Sequence, residues 1–300
     1  MRVFVTGATG FIGSAIVHEL LATGHEVLGL ARSDAAADTL AALNVPVHRG
    51  DLTDTETLAA GARACDGVIH TAFIHDFSSL ETFLAAAETD RQAIQALAGA
   101  LEGSDKPFVS TSGTAVLAPG RTGSEEDAPF PGAAGSHRAA SEALVLAAAA
   151  RGIRSSVMRL PPSVHGAGDH GFVPMLIGIA RRAGFSAYIG DGANRWPAVH
   201  RVDAARLYRL ALEKASPATR LHGVAESGIP VRAIAGEIGA GLGLPVRSIT
   251  PEEAPAHFAW MARFVAIDNP ISSDLTRTAF GWRPEGPDLL EDIRANGYFS

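Results

Sequence analysis

The chain opens on an apolar run, Arg2-Val3-Phe4-Val5-Thr6, followed by the turn Gly7-Ala8-Thr9-Gly10 and by an apolar helical pattern from Phe11 to Leu21. Three glycines, Gly7, Gly10 and Gly13, thus stand where a strand hands over to a helix. Each position has its own use: Gly7 for the tight turn, Gly10 for close approach of the backbone to a ligand, and Gly13 for packing the helix on the strand. The amide groups of such a helix start, with the positive end of its dipole, suit a pyrophosphate. A structural βα turn would carry the same glycines. The second apolar run, Glu26 to Ala31, comes at the spacing of a βαβ unit and favours dinucleotide binding.

Strand and helix patterns alternate through the first half. Strands are expected at Val3–Thr6, Val27–Ala31, Val45–Arg49, Gly67–Thr71 and Pro107–Ser112, with helices at Ala36–Leu43, Asp54–Ala64, Leu80–Leu101 and Ala139–Ala150 between and after them. Such alternation predicts an α/β fold: a Rossmann-type doubly wound parallel sheet with a small C-terminal substrate-binding lobe. Residues 1–165 are expected to form the dinucleotide-binding domain, with 197–228 returning to it. Residues 166–196 and 229–300 are expected to form the lobe, where Ala254 to Ile267 carries His257, Phe258, Trp260, Met261 and Phe264 as core or as pocket wall.

At 300 residues and 47% hydrophobic, the chain can bury a large core, and its net charge of −7 without a basic run argues against nucleic acid or an anionic membrane as partner. Cys65, the single cysteine, is expected to be buried and inert. No leader peptide is expected before the first strand, and no apolar run is long enough to span a bilayer, so a cytoplasmic chain with a small-molecule substrate is expected. No metal site is expected.

The spelling Thr6-Gly7-Ala8-Thr9-Gly10-Phe11-Ile12-Gly13 resembles the TGxxGxxG motif of the extended short-chain dehydrogenase/reductase family. That resemblance implies a nicotinamide dinucleotide held by Gly7, Thr9, Gly10, Phe11, Ile12 and Gly13. The end of the second strand reads Ala31-Arg32-Ser33 instead of placing a carboxylate for the ribose hydroxyls of NAD. Arg32 can pair with a 2′-phosphate and Ser33 can donate to it, so NADP is expected in preference to NAD, unless Arg32 is only a solvated charge.

Further matches extend over nearly the whole chain. Asp51 and Leu52 take the family's places against adenine, although Asp51 could instead cap a helix, a duty for which Asp54 competes. Thr71, Ala72 and Phe73 look like the small-residue segment along which the cofactor passes, with His75 and Phe77 toward the substrate. Ser112 takes the place of the catalytic hydroxyl, where it would bind a substrate oxygen beside the nicotinamide. Pro161 stands where relatives pack a proline on the nicotinamide. Ser163 and His165 occupy substrate-facing places, and Arg195 either binds substrate or forms a structural salt bridge.

The pattern breaks at the family's Tyr-x-x-x-Lys pair. Counting back from Glu142, the Lys falls at Arg138 and the Tyr at Ala134. Arg138 could still hold the nicotinamide ribose, but it cannot give up a proton near neutral pH. His137 is the nearest titratable substitute, if it does not merely face solvent, and Ser136 is expected to cap the helix. Basic residues in place of the pair resemble an atypical subgroup of the family. The principal expectation is an NADP-dependent oxidoreductase moving hydride to or from a small, apolar carbonyl, imine or alcohol. The alternatives are a redox-neutral epimerase or dehydratase with bound NAD(P), and a non-catalytic NADP(H)-binding regulator. Helices 80–101 and 139–150 could pair across a homodimer or pack on the sheet.

Overall fold

Alternation at the first strand sets the architecture. In β1 (Arg2–Thr6), Val3 and Val5 point to one face of the sheet and Phe4 to the other, and all three are fully buried. Both faces therefore need a helical cover. A computed structural model of the protein describes residues 1–75 and 80–299, and it supplies that cover on both sides.

The chain continues through α1 (Phe11–Ala22), β2 (Glu26–Ala31), α2 (Asp34–Ala42), β3 (Val47–Arg49), α3 (Thr55–Arg63), β4 (Gly67–His70), α4 (Leu80–Leu101), β5 (Pro107–Gly113), α5 (Ala139–Ala147) and β6 (Arg154–Leu160). After β7 (Ser163–His165) come α6 (Phe172–Ala183), β8 (Ser186–Ile189), β9 (Arg195–His200), α7 (Arg201–Lys214), β10 (Thr219–His222), β11 (Glu226–Pro230), α8 (Val231–Leu242) and β12 (Val246–Ile249). Short helices at Ala254–Phe258, Ala262–Val265, Asp274–Phe280 and Leu289–Ala295 complete the chain.

Seven strands pair in the order β3-β2-β1-β4-β5-β6-β10, all parallel. This is the doubly wound Rossmann-type sheet expected. The chain leaves β1 for β2 on one side and returns to β4 on the other, which opens a crevice at the strands' C-terminal ends. Val3 and Val5 share one core with Ile16, Leu20, Leu207 and Tyr208 of α1 and α7, while Phe4 joins Leu58, Ile94, Leu97 and Val145 of α3, α4 and α5. Helices α4 and α5 thus bury their apolar faces on the sheet.

The smaller part is built on the three-stranded sheet β11-β9-β7, the pair β12-β8 and a core centred on Trp196, whose indole donates to Phe264 O at 3.1 Å. Phe258, Met261 and Phe264 belong to this core, as the helical spacing suggests. Phe280 and Trp282, expected within the lobe, instead pack in the core of the seven-stranded sheet with α1 and α7. Gly281 turns the chain between them at φ 64°, and the Trp282 indole donates to Asp203 O.

Local differences from the sequence reading have physical causes. Helix α5 stops at Ala147 and tightens into a 3-10 turn that Gly152 ends at φ 72°, so 139–150 is not one α-helix. Ser136 does not cap α5: it lies in a 3-10 turn, Ser136–Arg138, that leads into the helix, and no side chain caps that start. Of the two carboxylates before α3, Asp54 is the cap, accepting from Thr57 N at 3.0 Å.

Candidate active site

The glycine turn meets the steric demands of its three positions. A Cβ on Gly13 would stand 1.9 Å from Gly7 O, and one on Gly7, where φ is 71°, would stand 2.7 Å from the Thr71 hydroxyl. No larger residue fits either place. Helix α1 starts at Gly10 with no capping side chain and no carboxylate in its first turn, so its first amides and its dipole are left for an anion. These residues fit a dinucleotide pyrophosphate. Phe11 lies under the Arg201 guanidinium, 4.9 Å from its ring centre, and against the edge of His170.

At the end of β2, Arg32 is exposed. The neighbouring Asp34 is held by Arg49 at 2.6 Å, which keeps the first nearby carboxylate engaged elsewhere. Ser33 caps α2 by accepting from Ala36 N at 3.2 Å, and its own O–H proton stays available to a phosphate. Asp51 folds onto Thr53, accepting from its amide and hydroxyl at 2.7 and 2.6 Å, and these bonds hold its carboxyl below the usual range. Leu52 beside it is buried.

At the ends of β4 and β5 the side chains lock to one another. Thr71 donates to Thr6 O, and Ala72 N to the Thr6 hydroxyl. The Thr6 hydroxyl also bonds His70 Nδ1 at 2.7 Å, and His70 Nε2 reaches Asp90 Oδ1 at 3.2 Å. Asp90 Oδ2 accepts from the Ser141 hydroxyl at 2.6 Å and lies 3.5 Å from Arg138 Nη1. Arg138 in turn donates from Nη2 to Thr111 O and stacks on Phe73 at 4.1 Å. Burial would raise the Asp90 carboxyl, but the charge of Arg138 and the bond from His70 outweigh it and bring it down to about 2. An ionised carboxylate only accepts, so His70 Nε2 carries the proton it shares with Asp90.

Ser112, the residue after the one that anchors Arg138, is only 5% exposed, and its hydroxyl has no partner among the described residues. A buried, unpaired hydroxyl is costly unless a ligand completes it, and it sits at the strand end where ligands of such sheets bind. His137 packs its ring on Phe83 at 4.1 Å and tilts toward Phe73. Desolvation, reinforced by the charges of Arg138 and Arg263, lowers its imidazole to about 4. It is neutral near pH 7. Ala134 packs with the smaller core and accepts a hydrogen bond from Arg263 through its carbonyl.

Of the residues expected to face substrate, two are committed elsewhere. His165 is fully buried and bonded through Nδ1 to Asp292 at 2.8 Å. Arg195 closes a bidentate pair with Asp268 at 2.9 and 2.8 Å, the structural salt bridge rather than a diphosphate grip. Ser163 is buried with its hydroxyl unpaired, and Pro161 is buried just after β6. His75 lies against the edge of Phe73. Phe77 lies outside the described residues. Asp90, His70, Thr6 and Ser141 were not singled out from sequence, yet Asp90 stands on the stripe Ala86, Ala87, Asp90, Ile94, Leu97, where a carboxylate among buried apolar residues is a legible signal.

A seven-stranded parallel sheet with a bare glycine-turn helix start at its crevice defines a dinucleotide-binding α/β protein. The chain belongs to the NAD dependent epimerase/dehydratase family, whose model matches residues 3–221. It is 49% identical over 301 residues, spanning 100% of both chains, to an uncharacterized protein of Schizosaccharomyces pombe. It is also 30% identical over 259 residues to a 2-alkyl-3-oxoalkanoate reductase of Stenotrophomonas maltophilia, covering 82% of this chain and 77% of that one. Among solved structures, the dTDP-glucose 4,6-dehydratase DesIV from Streptomyces venezuelae superposes with a TM-score of 0.80 at 22% identity, covering 100% of this chain and 97% of that one. No helix among the described residues is long and apolar enough to cross a membrane.

Proposed function

We propose that the protein is an NADP-dependent reductase of small, mainly apolar ketones, working with an atypical site in which Arg138 takes the place of the family's Lys and His137 stands three residues beyond Ala134, the place of the family's Tyr. The observation that carries this reading is the unpaired, buried Ser112 hydroxyl one residue beyond the carbonyl that anchors Arg138. The 3-oxo acid reductase relative supports ketone reduction, and the exposed Arg32 with Asp34 tied to Arg49 supports a 2′-phosphate.

When bound, the nicotinamide supplies the hydride. The chain binds and orients: Gly7, Thr9, Gly10, Phe11, Ile12 and Gly13 form the pyrophosphate seat, Arg32 and Ser33 meet the 2′-phosphate, and Asp51 and Leu52 flank adenine. Thr71, Ala72 and Phe73 would line the path toward the nicotinamide, which Pro161 and Arg138 would help to hold. Ser112 donates to the substrate carbonyl oxygen, which gains electron density as hydride arrives. With an imidazole at about 4, His137 is protonated in only about one molecule in a thousand at pH 7. It therefore orients substrate as a neutral group, and the proton reaches the new alkoxide from water through the Ser112 hydroxyl.

The test is NADPH and NADH oxidation by purified protein against aliphatic ketones, 3-oxo acids and imines. Oxidation favouring NADPH is expected. Tightly bound NAD in the purified protein, with no net oxidation, would instead support redox-neutral epimerase or dehydratase chemistry, with which the family match is equally compatible.

A further inference from the structure

A cavity of about 450 Å³ runs along α6, outside the cluster of Ser112 and Arg138. Its lining includes Met175, Gly178 and Ile179 of the helix and Phe258, Trp260 and Met261 opposite. Asp169 and His170, which precede the helix, and Arg182, in its last turn, also line it. At 1.5 Å of rise per residue the stretch of α6 that lines it, Pro174 to Arg182, spans about 12 Å. Apolar side chains dominate its wall, with the polar groups of Asp169, His170, His257 and Arg182 among them.

The end at His170 adjoins the proposed reaction site. His170 touches Phe11 of the glycine turn at 5.7 Å, and the His75 ring meets Phe73, on which Arg138 stacks. The carboxylate there is already engaged, since Asp169 accepts from Gly171 N at 2.7 Å and from the Tyr298 hydroxyl at 3.0 Å.

Arg182 is different. Among the described residues no hydrogen bond or ion pair engages it, whereas the adjacent Arg181 donates to Phe299 O. Its Nη1 lies 3.5 Å from where a Cβ on Gly178 would stand, so the side chain lies back along α6 and brings the guanidinium over the cavity wall. Gly178, six residues past the helix start, leaves that space open and sets the cation about 9 Å along the axis from Phe172. Arg182 is exposed, and its guanidinium, without a carboxylate partner among the described residues, is available to an anionic group at the cavity's rim.

We infer that this cavity holds the body of an elongated, mainly apolar substrate whose end remote from the reacting carbonyl carries a carboxylate, gripped by Arg182. The inference rests on the proposed reductase reading only for which end reacts. A molecule of this class is an oxo acid with its two polar groups separated by an alkyl chain.

The test needs no cofactor. The full chain is titrated with octanoate, octanol and octylamine while tryptophan fluorescence is followed, with Trp260→Phe assigning the signal to the cavity. Octanoate is expected to bind at least tenfold more tightly than octanol or octylamine. Arg182→Ala should weaken octanoate at least tenfold and leave octanol unchanged, and Gly178→Leu should lose both. Equal binding of octanoate and octanol, an unaffected Arg182→Ala, or octanoate binding that survives Gly178→Leu would each overturn the inference. Failure of the reductase reading shows separately, as absence of NADPH oxidation while the carboxylate preference persists.

Discussion

Asp90 and Arg138 face each other across 3.5 Å with side chains only 2% and 13% exposed, and both lean on strand ends, Asp90 through His70 and Arg138 through Thr111 O. The Arg138 guanidinium is thus matched by a buried carboxylate from α4. Removing the carboxylate would leave a buried cation uncompensated, a loss of about 3–5 kcal/mol. Asp90→Ala should therefore unfold at much lower urea concentration than the parent, measured by the shift in the denaturation midpoint.

The same carboxylate gives an acid dependence. Its folded value of about 2 lies below the ordinary 3.8, so its stabilisation is present above the ordinary value and is lost as pH falls through the folded one. The difference corresponds to ~2 kcal/mol. Urea midpoints measured between pH 5 and pH 2 should fall with a steeper slope for the parent than for Asp90→Asn, and parallel slopes would contradict the assignment.

Ser112→Ala separates chemistry from stability. The hydroxyl bonds no group among the described residues, so its removal should change stability by about 1 kcal/mol or less. Loss of a donor to the developing oxyanion should lower kcat by about a hundredfold to a thousandfold. Steady-state kinetics beside a melting curve decide it.

Arg32→Ala should weaken NADPH binding about tenfold to a hundredfold and leave NADH nearly unchanged, because a charge-assisted bond to a 2′-phosphate exists for one cofactor alone. Calorimetric titration of the two cofactors reads the split. Equal losses for both would assign Arg32 to the general surface.

Arg195→Ala tests the salt bridge with Asp268. The pair is part-exposed, so its removal should change stability by about 1 kcal/mol or less and leave KM unchanged. A large rise in KM would return Arg195 to the substrate.

The order of strands, the glycine turn and the Rossmann-type class were readable from the sequence because they rest on local rules. Alternation in Val3, Phe4 and Val5 demands two covered faces, and only glycine avoids the clash between position 13 and Gly7 O. What only the tertiary structure decided concerns partners distant in the chain. Asp90 meets Arg138 and Ser141, His165 meets Asp292, Arg195 meets Asp268, and Phe280 with Trp282 joins the larger core. A charged side chain in one segment carries no record of which distant group will neutralise it. Its role is fixed only when the packed layers bring the two within a hydrogen bond and exclude the water that would otherwise have served either one.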